Sequence, residues 1–196
     1  GDSLSANDYL TKLDVLKQVA LKIPKKKNSG LTLIIFADFV EVFGDDEFDN
    51  SLEALKFFTE FGSAEFAIRK FIKIDCDRAM KVMMQWSLDD NYHVRRLASE
   101  GCRPNLPWGE GLDVFKKDPT AILPILENLK NDEFEYVRRS VANNINDISK
   151  KNPCITLDLM KRWKKQNIDQ RLIKHGLRTL LKQGNEEALK LIDIDR

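Results

Sequence analysis

The sequence is poor in the residues that organise metal, redox and nucleophilic chemistry. Its 196 residues include three cysteines and two histidines. Cys76, Cys102 and Cys154 form no CxxC pair, and their odd number argues against a disulfide framework or a zinc site. This usage fits a reducing compartment, so a cytoplasmic location is expected. His93 and His175 lie too far apart to form an evident metal pair. No GxSxG, HExxH or glycine-rich phosphate loop is present, which excludes the commonest hydrolase, metalloprotease and nucleotide-binding signatures. No apolar run approaches the roughly 20 residues of a membrane helix. The opening "GDSLSAND" carries no basic, apolar signal pattern.

What is present is a soluble composition, 42% hydrophobic and 32% charged, long enough for one cored domain over residues 1–196. The net charge of +1 is uninformative, but its distribution is not. Residues 37–66 hold nine acids and one base, and residues 150–182 hold ten bases and two acids. The basic stretch reads either as a solvated helix surface or as a face that meets a polyanion. The lysine-rich "PKKKNSG" at 24–30 reads as a solvated turn.

Apolar periodicity is helical throughout. Tyr9, Leu13, Leu16 and Ala20 recur at three- and four-residue steps and predict a helix over 5–23. Segments 49–61 and 63–72 follow, divided at Gly62. The "LTLII" of segment 31–43 has strand composition but no partner strand, so that segment is also assigned as helix.

The later part repeats. "DDNYHVRRLASEG" aligns with "NDEFEYVRRSVANN" at an offset of 43 (Val94 to Val137), and "NIDQRLIKHGLRTLL" follows 36 further on (Val137 to Ile173). Each is preceded by another apolar-periodic helix: "DRAMKVMMQWSL", "DPTAILPILENLK" and "NPCITLDLMKRW". In the last two, Asp-Pro and Asn-Pro predict an N-cap followed by proline at the first helical position. Two helices per repeat of roughly 40 residues is the signature of an all-α, HEAT-like solenoid.

The alignment assigns faces. Val94, Val137 and Ile173 form one core column, and Ala98, Val141 and Leu177 another. Trp86 and Trp163 also fall on apolar faces. The adjoining column is Arg96, Arg139 and His175, a basic stripe on the second helices, which line the concave side of such solenoids. Glu100 lies four residues after Arg96, Asn143 and Asp147 continue the face of Arg139, and Glu65 precedes Arg69 by four. Each set reads either as ordinary helix ion pairs or as carboxylates placed within a basic surface. Pro104 and Pro107 stiffen the loop that carries Trp108, whose indole either plugs a gap between helices or meets a cation or base.

"NYHVRRLASEGCRPNLPWG" and "YVRRSVANNINDISKKNP" resemble the strongest motifs of the AlkC branch of the AlkC/AlkD-type DNA alkylation-repair glycosylases. "AEFAIRKFI" and "RLIKHGLRTLLKQGNEEALKLI" resemble its flanking segments, so the similarity runs from about Leu10 to Ile192. The resemblance implies a curved HEAT-like solenoid that grips duplex DNA in a basic groove. It implies hydrolysis of the N-glycosidic bond of cationic alkylated bases of the 3-methyladenine class, without metal or organic cofactor. The family's active-site carboxylates fall on Glu65, Glu100 and Asp147, and its loop tryptophan on Trp108. Arg69, Arg96, Arg103, Arg139, Asn143, Lys150, His175 and Arg178 are the expected DNA contacts. A monomer is expected, with Asp147 the first choice for the principal carboxylate. Two other readings of the same fold are a non-catalytic DNA-binding protein and a protein-interaction scaffold.

Overall fold

The structure, a computed structural model, describes residues 6–24 and 32–192. The lysine-rich turn and the extreme N-terminal segment lie outside the described residues, apart from Pro24 and the residues that open the first helix. Among the described residues there are thirteen α-helices, one short 3-10 turn and no strand. The first helix, α1, covers Ala6–Lys22. The described part of the "LTLII" segment is helical as expected: a 3-10 turn over Thr32–Ile34 runs into α2, Ile35–Phe43. Next come α3 (Phe48–Phe58) and α4 (Ala67–Ile74).

The repeats follow as pairs. α5 (Cys76–Trp86) pairs with α6 (Tyr92–Gly101). A short α7 (Asp113–Lys117) precedes α8 (Leu123–Leu129) and α9 (Glu135–Ser149). α10 (Pro153–Lys165) is followed by α11 (Gln170–Gly176), α12 (Arg178–Lys182) and α13 (Glu186–Leu191). α9 sits in the middle of this stack, packed against α6 on one side and α10 and α11 on the other. Both core columns are fully buried, as are Trp86 and Trp163. One apolar cluster extends from Tyr9 to Ala188. At Gly101, a Cβ would come within 2.5 Å of Ile68 Cγ2, so only glycine lets the end of α6 approach α4 this closely.

Two helix starts differ from expectation. α8 begins at Leu123 rather than at Pro119, because Pro124 lacks an N–H and is tolerated only in the first turn. Asp118 instead accepts a bond from Thr120 N in the preceding turn. α10 does begin at Pro153, but the Asn152 side chain donates to Lys116 O at 3.0 Å rather than capping the helix.

The first arginine of each "VRR" has a purely structural place. Arg95 Nη1 donates to the carbonyls of Asp89 and Asp90, and Arg138 Nη1 to those of Asp132 and Glu133. Both thereby close the turn that leads into their own helix. Arg95 also forms a bidentate pair with Asp132, which ties α6 to the turn before α9. The second arginine of each pair is left for the neighbouring face.

Candidate active site

The turn before α4, the helix α6, the loop after it and the C-terminal end of α9 bring three acids and three bases into one connected network. Glu100 and Asp147 are 6% and 2% exposed, and Arg103 lies buried between them. Arg103 Nη1 donates to Glu100 Oε1 at 2.5 Å, while its Nε and Nη2 both reach Asp147 Oδ2 at 2.8 Å. Ser140 Oγ donates to the other Glu100 oxygen at 2.6 Å, and Lys150 Nζ to Asp147 Oδ1 at 2.8 Å. Arg96 joins from the next turn of α6. Its Nη1 donates to Ser63 Oγ at 2.5 Å and Glu65 Oε2 at 2.6 Å, and its Nη2 lies 3.6 Å from Glu100. Burial opposes the Arg96 charge, but Glu100 and Glu65 override it and hold its pKa above the ordinary value. The same balance, with Glu100 and Asp147 as partners, raises the pKa of Arg103.

This network forms one wall of a cavity of about 480 Å³. Glu65, Arg96, Glu100 and Arg103 contribute the polar side. Phe66, His93, Trp108 and Tyr136 contribute the aromatic side. The Arg96 guanidinium sits 5.0 Å from the centre of the Tyr136 ring. Burial raises the Tyr136 pKa, Arg96 lowers it, and the two glutamates raise it again, for a net upward shift. Tyr92, Phe134, His93 and Tyr136 form a ring cluster across the starts of α6 and α9: Tyr92 stacks on Phe134 at 4.4 Å, and Tyr136 meets Tyr92 and His93 edge-on. No lysine lines the cavity among the described residues.

Trp108 is 98% exposed and has φ of 62°, a left-handed conformation that costs a non-glycine residue about 1–2 kcal/mol. It does not plug a gap between helices: its indole stands free at the rim of the cavity. Cys102, at the root of the same loop, is fully buried, and burial pushes its thiol up to about 12. It is therefore a packing residue.

Several assignments change. Asp147 does not line the cavity, because Arg103 lies between; Glu100 does. Arg103 is buried on the cavity wall, with Nε, Nη1 and Nη2 all directed at Glu100 and Asp147. Glu65 lies in the turn before α4 and pairs with Arg96, not with Arg69. Arg69, 3% exposed, points away from the groove to the backbone carbonyls of Gly101, Arg103 and Glu110. The outer basic residues do remain open: Arg139, Lys150 and Arg178 are exposed, with Arg178 Nη1 2.9 Å from His175 Nε2 and Asn143 Oδ1 3.0 Å from the same nitrogen. Burial, then Arg178, Arg139 and Arg103, hold the His175 imidazole below its usual value.

Tyr136, His93 and Ser140 were not picked out by spacing, though the repeat contained the signal. His93 and Tyr136 occupy equivalent positions, just before the two core valines, and Ser140 stands in the column of the buried Leu97. A hydroxyl in an apolar column needs a partner, and Glu100 is that partner.

No protein-family model matches the chain. It is 45% identical to the alkylpurine DNA glycosylase AlkC of Pseudomonas fluorescens, solved bound to DNA containing an abasic site analog, with a TM-score of 0.88 over 96% of this chain and 52% of that one. The chain shares the HEAT-like repeat fold of the AlkC/AlkD-type proteins. The uncharacterized protein YhaZ of Bacillus subtilis (strain 168) is 44% identical over 185 residues, 93% of this chain and 50% of YhaZ. The chain thus spans about half the length of these two relatives. AlkD2 from Streptococcus mutans, 24% identical with a TM-score of 0.52 over 98% of this chain and 92% of its own, shares the AlkC/AlkD-type fold.

Proposed function

We propose that the chain is a DNA glycosylase that hydrolyses the N-glycosidic bond of cationic alkylated bases of the 3-methyladenine class in duplex DNA. The observation that carries this reading is that Glu65, Glu100, Trp108 and Tyr136 line one cavity. Carboxylates and π faces both attract positive charge. An N3-alkylated purine brings that charge and is already a good leaving group. As the bond from C1′ to the base nitrogen breaks, its electron pair leaves with the base and the deoxyribose gains oxocarbenium character, as in glycoside hydrolysis. Glu100 stabilises that developing charge and orients a water. The water oxygen then bonds to C1′, its proton passes to the carboxylate, and a neutral base and an abasic sugar result.

In this scheme Asp147 acts through Arg103. It holds the guanidinium against Glu100 and so fixes which Glu100 oxygen faces the cavity. Glu65 and Arg96 form the rim, and Arg139, Asn143, Lys150, His175 and Arg178 meet the DNA backbone. No lysine lines the cavity among the described residues, and the proposed reaction is base release without strand cleavage. The similarity to AlkC, an alkylpurine DNA glycosylase solved with DNA containing an abasic site analog, supports the same reading. A second reading, a relative that binds DNA and excises nothing, is favoured by the saturation of Glu100 and Asp147 by arginine, serine and lysine donors.

The test is single-turnover excision from methylated duplex DNA with protein in excess and chromatography of the released bases. Glu100→Gln should keep fold and DNA affinity and lose about 10²–10³ in rate, the scale for removing one electrostatic stabiliser. A wild-type rate in that variant sinks the assignment of Glu100. No excision of any cationic lesion by the wild type promotes the DNA-binding reading.

A further inference from the structure

Trp108 keeps a strained backbone conformation although its indole packs on nothing. Its place must therefore be imposed from elsewhere in the loop. The tip, Pro107 and Trp108, is exposed, whereas Cys102, Arg103, Pro104 and Leu106 at its base are buried. The backbone bonds within the segment, Gly109 N to Leu106 O at 3.1 Å and Leu112 N to Pro104 O at 3.1 Å, shape the turn but do not anchor it to the helices behind.

Arg69 supplies that anchor. From α4 its guanidinium reaches both ends of the loop at once. Nη1 donates to Gly101 O at 3.0 Å and Arg103 O at 2.8 Å, where the loop leaves α6. Nε donates to Glu110 O at 2.8 Å, where the loop returns, and Nη2 reaches the same carbonyl. No carboxylate pairs with it among the described residues. Burial brings its pKa down to about 10, so it stays charged at neutral pH, and the three carbonyls compensate that charge. An arginine buried at this cost and spent wholly on one loop has a planar fork that a lysine cannot reproduce.

We infer that Arg69 is a positioning residue: it clasps the two ends of the 102–110 loop and thereby sets where the Trp108 indole stands beside the cavity. Its bearing on excision rests on the functional reading above; its bearing on the loop does not.

The test uses the whole chain labelled with 5-fluorotryptophan. Trp86, Trp108 and Trp163 give three fluorine signals, and Trp108→Phe assigns the loop signal. In Arg69→Met, which keeps the aliphatic stem and loses every donor, the Trp108 signal, broad while the loop is held, should narrow toward the width of free fluorotryptophan. The Trp86 and Trp163 signals should keep their positions and widths, which reports an intact core. Arg69→Lys, whose ammonium reaches fewer of the carbonyls, should give an intermediate width, and it carries the test if Arg69→Met does not fold. An unchanged Trp108 width in the folded variant overturns the inference. So does a wild-type Trp108 signal already as narrow as that of the free amino acid. In single turnover, Arg69→Met should slow excision about 10²-fold, the scale of a displaced catalytic contact, and should add little to the loss already caused by Trp108→Ala. Fully additive losses also overturn it. A wild type that excises nothing defeats the enzymatic reading alone, and the fluorine signals still decide the clasp.

Discussion

Replacing Arg103 with methionine tests whether the buried network is held by charge. The stem packing survives, but Glu100 and Asp147 lose the guanidinium between them. The side chains involved are 6%, 7% and 1% exposed for Arg103, Glu100 and Asp147, so water cannot substitute for the lost donors. Breaking a buried pair by removing one partner costs about 3–5 kcal/mol. Ser140 stays on Glu100 and Lys150 on Asp147, which places the loss at the lower end. At about 2–4 °C per kcal/mol for a chain of this size, the midpoint should fall by roughly 6–12 °C. The informative variant is the triple one, Glu100→Gln, Arg103→Met, Asp147→Asn, which removes all three charges together. The large cost of the single change comes from leaving buried charge uncompensated, and the triple variant leaves none among the three, so it should recover at least half of the fall. Thermal scans followed by circular dichroism read both. A single variant that melts within about 2 °C of wild type, or a triple variant as unstable as the single one, refutes the buried-charge account.

Trp108→Gly should leave the midpoint within about 4 °C of wild type, because it deletes no packed surface and glycine adopts the left-handed conformation freely, while excision falls; a larger loss would make Trp108 a packing residue. Arg139→Ala, Lys150→Ala and Arg178→Ala should each weaken binding to unrelated duplexes alike and reduce the salt slope by about one, whereas Arg69→Met should leave the slope unchanged; equal slope changes in all four would refute the separation of outer from buried arginines. His175 carries a pH signature. Because its folded pKa lies below the usual 6.5, the unfolded chain takes that proton first, and His175 contributes a loss of stability as pH falls through 6.5. His175→Asn should therefore melt higher, relative to wild type, at about pH 5 than at about pH 7.5. An equal difference at both pH values refutes it.

The sequence by itself determined the helices, the pairing of helices and the core columns. Each depends on local spacing: a valine at 94 and another at 137 recur at the same place in a repeat, and the burial of both follows from stacking like on like. It also determined that Glu100 shares a face with Arg96, because four residues always make about one turn. The aim of the other arginines was decided only by tertiary structure. Carboxylates, phosphates and backbone carbonyls all accept from a guanidinium, and nothing local says which will be in reach. Arg103 finds Asp147, 44 residues away, and Arg69 finds Glu110, 41 residues away. Their composition reads as a basic surface, and the fold turns both inward. One holds the carboxylates together and the other holds the loop, and the long-range contacts that do so have no period for a sequence to display.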